Sequence, residues 1–173
     1  MIRYFAPNEQ VLEYVAKKAN GKVLELGPGK IPFSKATHFC GHDKEEAAKL
    51  DNYKTADFSN EMLPYKNKEF DFIYARHVVE DLYNPINFLK ECKRISKAGF
   101  FETPSPLVEL SKYIENDRAV FTGYHHHHSI CWTTPHGYNI IHKYPIVEHS
   151  DIYFEQAEKF LSESIYWNNY FMW

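Results

Sequence analysis

The run Val23-Leu24-Glu25-Leu26-Gly27-Pro28-Gly29 constrains this chain more than any other stretch. A short apolar segment broken by Gly-Pro-Gly reads as a buried strand that ends in a tight turn. A buried strand needs neighbours on both edges, and the chain offers them at intervals. Thr37 to Gly41 and Asp71 to Ala75 read as further strands, and Phe100-Phe101-Glu102 opens another. Segments of helical period lie between them. Pro7 to Lys18 repeats Val11, Leu12, Val15 and Ala16 at three-and-four spacing, with Asn8 as cap and Gly21 as stop. Ile86 to Ser96 carries Phe88, Leu89, Cys92 and Ile95 on one stripe. Asn84 and Pro85 make its cap and first-turn proline, and Gly99 reads as its stop. This rhythm predicts an open α/β sheet, mostly parallel, with right-handed crossovers and flanking helices.

Ligands of open α/β sheets bind beyond the carboxyl ends of the strands. Gly27-Pro28-Gly29, Asp43, Asp57, Arg76-His77 and Glu102 all fall at or just past such ends, so they are expected to converge on one crevice. Glycines let the backbone approach a ligand closely. Asp43 suits the acceptance of hydrogen bonds from ribose hydroxyls; it also suits a solvated loop, since Lys44, Glu45 and Glu46 follow.

The last third differs in character. Ser129 to Thr134 and Tyr138 to Tyr144 flank Pro135-His136-Gly137 as a β-hairpin. Asp151 to Leu161 reads as a helix capped by Asp151, and Ser164 to Trp173 as a final, antiparallel strand. The alternating aromatics of that strand suit core and cover, or an acceptor pocket or dimer face. Lys90, Lys93, Arg94 and Lys97 read as a solvated helix face. The run His125 to His128 has three readings: structural histidines in a loop, one histidine serving as base or positioning donor at a cleft mouth, or two alternating histidines with a remote His or Glu102 on a metal. At most two of the four share a strand face. No metal is assigned.

As an ordered string, Val23 to Gly29, Asp43, Ala56-Asp57, Leu63-Pro64-Tyr65 and Phe70 to Ala75 resemble the class I S-adenosylmethionine (SAM)-dependent methyltransferases, type 11-like domains among them. The likeness continues through His77-Val78-Val79-Glu80, Asn84-Pro85, Phe88-Leu89-Lys90-Glu91 and Arg94-Ile95, and covers roughly residues 9 to 106. Gly27-Pro28-Gly29 followed by Pro32-Phe33, and Glu102-Thr103-Pro104-Ser105-Pro106, look like a small subset carrying "GPG-x-x-PF" and "E-x-PSP". The resemblance implies a Rossmann-like sheet and SAM as cofactor, with S-adenosylhomocysteine (SAH) as product. Glu25, Gly27, Pro28 and Gly29 would line its methionine end, Asp43 its ribose, and Asp57 with the backbone of Phe58 its adenine. Arg76 and His77 would face the methionine moiety or the acceptor. His77, His127 and His128 are the catalytic candidates.

Three departures stand out. Ile31 replaces a common third glycine, the Gly29 to Asp43 segment is too short for a full crossover helix, and Asp81 replaces a common histidine. Ala75-Arg76-His77-Val78 stands where enzymes that methylate nucleic-acid amino groups carry Asn/Asp-Pro-Pro-Tyr/Phe. The implied reaction is methyl transfer to an O or N acceptor; the alternative is a methyltransferase-like, non-catalytic binding or regulatory subunit.

A net charge of −3 argues against a broad nucleic-acid surface, so a small-molecule acceptor is preferred. Cys40, Cys92 and Cys131 are scattered and odd in number, which suits a reducing, cytoplasmic setting. The first residues lack the apolar core of a signal peptide, and no apolar window is long enough to span a bilayer. One domain over residues 1–173 is expected, with 1–106 holding the cofactor and 107–173 forming an acceptor or lid region, as a monomer or homodimer.

Overall fold

A computed structural model describes residues 8–42, 49–109, 111–115, 118–121, 127–143, 154–155 and 168–173. Helix α1 (Asn8–Lys18) leads into β1 (Val23–Leu26), β2 (His38–Gly41), β3 (Tyr53–Thr55) and β4 (Phe70–Arg76). A 3-10 turn (Val79–Asp81), α2 (Pro85–Ile95) and β5 (Ser96–Pro104) follow. Then come the short helix α3 (Pro106–Glu109), β6 (Ser111–Glu115), β7 (Arg118–Phe121), β8 (Ser129–Thr134), β9 (Gly137–His142), β10 (Phe154–Glu155) and β11 (Asn168–Met172).

Among the described residues six strands form one sheet in the order β11-β5-β4-β1-β2-β3. Every pair in it is parallel except β11 against β5. This is the Rossmann-like, mostly parallel sheet of the sequence reading. No helix separates β1 from β2, so Pro32-Phe33 sits in irregular loop, in keeping with the proline there.

Side chains alternate across the sheet with a period of two. Val23, Phe72, Tyr74 and Phe100 face α1 and pack with its Val15. Leu24, Leu26, Ile73, Ala75 and Phe101 face the opposite way and pack with Phe88, Cys92 and Ile95 of α2. Asn84 caps α2 by accepting from the Asn87 N–H at 3.2 Å. The hairpin β8–β9 adds Cys131, Tyr138 and Ile140 to the α2 side.

Two expectations change. Gly99 does not stop α2: the helix ends at Ile95, Ser96 turns extended, and Gly99 lies inside β5. A Cβ there would stand 2.2 Å from the Trp173 ring, so close aromatic approach explains this glycine. The segment 151–161 is not helical throughout, because Phe154 and Glu155 pair with β6 as β10. Its apolar spacing suits a helix, but an available strand edge supplies the partners of the backbone instead. The rest of that segment lies outside the described residues.

Candidate functional site

A cleft of about 440 Å³ opens at the carboxyl ends of β1 to β4. Gly27 follows β1, His42 follows β2, Asp57 to Asn60 follow β3, and His77 and Val78 follow β4; Asp81, Leu82 and Tyr83 close it from the 3-10 turn. Four of the five parallel strands, β1 to β4, therefore deliver their next residues to one place.

Gly27 shapes the floor. Its N–H donates to the Cys40 carbonyl at 2.8 Å, and its φ is +68°. A Cβ on Gly27 would lie 2.6 Å from Val78 Cγ2, so the turn after β1 and the turn after β4 meet only because this residue has no side chain. Phe58 is buried beneath the cleft between His42 (4.8 Å between ring centroids) and Phe88 (5.2 Å). Asp57 closes a turn: its Oδ1 accepts from the Ser59 N–H at 2.9 Å and its Oδ2 from the Asn60 side chain at 2.7 Å. The Asn60 hydrogen bond, then that of Ser59, holds its carboxyl below the usual range.

His77 has a φ of +52°, a conformation uncommon outside glycine and found at functional sites. Its N–H is held by the Glu102 carbonyl at 2.8 Å. Its ring lies between two buried carboxylates, with Nδ1 3.2 Å from Glu80 and Nε2 3.6 Å from Glu102. Burial works against the imidazolium, but the hydrogen bonds and charges of Glu102 and Glu80 outweigh it and raise the pKa to about 9. Glu102 also takes Arg76 Nη2 at 3.0 Å. Burial pushes the Glu102 carboxyl up, yet His77 and Arg76 together hold it below the usual range. Glu80 moves the other way, because burial dominates there. Both ring nitrogens of His77 thus face carboxyl groups, and the raised pKa favours its cationic form near neutral pH.

The histidine run reaches the same cleft from the far side. His127 is 5% exposed. Its Nδ1 pairs with Glu109, its Nε2 lies 3.4 Å from Asp81, and Glu109 also receives Lys143 Nζ at 2.9 Å. A chain of polar contacts, Lys143–Glu109–His127–Asp81, therefore runs from three buried side chains to the half-exposed Asp81, which lines the cleft. His128 stacks on Tyr83 with centroids 3.9 Å apart, and its N–H donates to the Glu80 carbonyl. His125 and His126 lie outside the described residues. Among the described residues no group of three His, Cys, Asp or Glu side chains is placed to hold a metal.

Of the residues expected in the crevice, Gly27, Asp57, Phe58 and His77 line it, and His127 and His128 back its rim. Glu25, Pro28, Gly29 and Arg76 do not. Glu25 is buried with Oε2 on the Phe33 N–H at 2.8 Å, and burial raises its pKa to about 7. Pro28 is buried beside Gly41. Gly29 borders a separate recess of about 200 Å³ with Lys30 and Lys49. Arg76 turns to Glu102. Asp43 lies outside the described residues. Asp81 stood out in sequence only as a departure, and Glu109 and Lys143 carried no signal, since nothing in their spacing points at a histidine about twenty residues away.

The methyltransferase-domain family model matches residues 2–142. The chain belongs to that family. It is a class I methyltransferase domain, and the cofactor of that class is SAM. An uncharacterized protein of Methanocaldococcus jannaschii is 36% identical over 84 residues, 46% of this chain and 41% of that protein. The methyltransferase domain therefore matches less than half the length of this curated relative. A SAM-dependent methyltransferase of Mesorhizobium loti shares 18% identity and a TM-score of 0.49, over 67% of this chain and 64% of its own. The YcgJ protein of Bacillus subtilis shares 18% identity and a TM-score of 0.44, over 57% of this chain and 52% of its own. Among the described residues no helix is long and apolar enough to cross a membrane.

Proposed function

We propose that this domain holds SAM in the cleft at the ends of β1 to β4 and methylates an O or N acceptor that enters beside Asp81. One observation carries the reading: the cleft joins a cofactor-sized floor to a side chain backed by buried charge. Its volume of about 440 Å³ lies in the range of roughly 300–1,000 Å³ usual for small-molecule sites. The Gly27 cradle fits a ligand that needs close backbone approach. Phe58 and His42 offer an aromatic wall for a base. Asp57 has room for an adenine amino group, because a carboxylate offers about four acceptor positions and Ser59 and Asn60 fill three.

SAM supplies an electrophilic methyl group on a sulfonium. The residues of the chain bind, align and handle the proton. His77 stays cationic and fixes the loop after β4, while the π-face of Tyr83 on His128 makes a platform at the mouth. An acceptor hydroxyl or ammonium must lose a proton, and Asp81 Oδ takes it and becomes a neutral carboxyl, while His127 Nε2, fixed from behind by Glu109, holds Asp81 in place. Residues 1–106 then form the cofactor side and 107–173 the acceptor side of one domain, joined at the Asp81–His127 contact.

Titration calorimetry with SAM and SAH tests the cofactor assignment, with saturable binding of both expected. Absence of binding by either at millimolar concentration overturns it. Labelled methyl transfer to a panel of phenols, alcohols, amines and carboxylates tests turnover, and its absence across the panel with SAH bound overturns catalysis by this chain.

A further inference from the structure

A second cavity, of about 360 Å³, shares no lining residue with the cleft. It lies between α2, the hairpin β8–β9 and the end of β11. Its floor is aromatic: Phe101, Tyr138, Phe171 and Trp173 line it, with centroids 4.7 Å apart for Phe101–Trp173 and 5.1 Å for Tyr138–Phe171. Lys90 and Lys93 stand on its rim. They are spaced i, i+3 on α2, which makes them neighbours on one helix face. Among the described residues no carboxylate lines this cavity, and neither lysine makes an ion pair. Other lysines of the chain do find partners: Lys22 pairs with Glu69, Lys97 with Asp71 and Lys143 with Glu109.

A solvated helix face accounts for two exposed lysines, but not for an apolar recess under them. An aromatic floor beneath two unpaired cations selects for both properties in one ligand. We propose that this cavity binds a small amphipathic anion. A flat or acyl body rests on Phe101, Tyr138, Phe171 and Trp173, and a carboxylate, sulfonate or phosphate group sits between Lys90 and Lys93. The chain as a whole is negative (−3), so these lysines must supply the attraction locally, and affinity falls with added salt. This inference does not rest on the methyl-transfer reading.

The probe is anilinonaphthalene sulfonate, followed by its fluorescence on the full chain, with neutral phenylnaphthylamine as its uncharged counterpart. Both are expected to bind, and laurate is expected to displace the sulfonate. Charge reversal in K90E/K93E weakens the sulfonate at least about tenfold, leaves the neutral probe within about twofold, and leaves the circular dichroism spectrum unchanged. K90R/K93R retains the sulfonate, and saturating SAH displaces neither probe. Four results would each overturn the proposal. They are failure of the sulfonate to bind, equal weakening of both probes in K90E/K93E, displacement of the sulfonate by SAH, and a dimer by light scattering that the sulfonate dissociates. A fifth is co-sedimentation with phosphatidylglycerol vesicles that depends on both lysines while laurate fails to compete; that result assigns the cations to a membrane surface instead.

Discussion

Glu25 Oε2 accepts a hydrogen bond from the Phe33 N–H at 2.8 Å, and this bond folds the loop after Gly27-Pro28-Gly29 back onto the strand it has just left. The Phe33 ring then stacks on Tyr74 at 3.9 Å, and Tyr74 is the β4 register partner of Glu25. The glutamate of the turn thus shapes the loop. In Glu25→Ala the Phe33 N–H is left without its acceptor, at a cost of about 1–3 kcal/mol in urea denaturation. Burial raises the Glu25 pKa from 4.5 to about 7, so the folded state binds this proton more tightly than the unfolded chain. Its contribution to stability is full below 4.5 and is lost as pH rises through about 7. Glu25→Gln is expected to flatten that part of the stability profile.

Gly27→Ala meets two obstacles, a φ of +68° and Val78 Cγ2 at 2.6 Å. The expected loss of stability is about 1–3 kcal/mol, with weaker SAH binding by calorimetry. In Gly27→Ala combined with Val78→Ala only the contact is relieved, so recovery is partial.

His77 is expected to titrate at about 9, held up by Glu102 and Glu80 against its burial, and carbon-detected NMR of the imidazole checks this. A histidine whose folded pKa is raised contributes stability that is complete below 6.5 and is lost as pH rises through about 9. His77→Ala removes a side chain that is 43% exposed and leaves Glu102 its Arg76 partner, so solvent screening keeps the expected cost to about 1 kcal/mol.

Lys143→Met leaves the buried Glu109 carboxylate with His127 alone, an expected loss of about 3–5 kcal/mol. Adding Glu109→Gln removes the stranded charge, so thermal denaturation of the double variant shows recovery. Asp81→Asn is expected to lower methyl transfer by about 10²–10⁴ while SAH affinity stays within about twofold. An unchanged rate in Asp81→Asn sets the proton-accepting role aside.

Gly99→Val places a side chain where the Trp173 ring now lies and also strains the paired Gly99 and Trp173 backbone. About 1–3 kcal/mol of destabilisation is expected, with a red shift of tryptophan emission.

Most of the sheet was legible in the residues. The apolar runs at Val23, Thr37 and Asp71 announce strands, the stripe of Phe88, Leu89, Cys92 and Ile95 announces α2, and Asn84-Pro85 marks its start, because strand and helix periods are local properties. The strand-end rule sent Gly27, Asp57 and His77 to one crevice, since parallel strands all point their carboxyl ends the same way. Arg76 falls at the same strand end but turns to Glu102, because lying near a strand end does not tell which partner captures a side chain. Gly99 read as a helix stop, for the ring that requires it comes from more than seventy residues away.

The sequence by itself therefore determined the parallel α/β architecture, the helices α1 and α2 and the place where its loops gather, all consequences of periodicity and turn chemistry within a few residues. Only the tertiary structure decided that His127 lies between Asp81 and Glu109, that Lys143 pairs with Glu109, and that Lys90 and Lys93 line one cavity with Phe171 and Trp173. Those relations join residues distant in the chain, and chain folding alone, through burial that makes each unpaired charge costly, selects which of them meet.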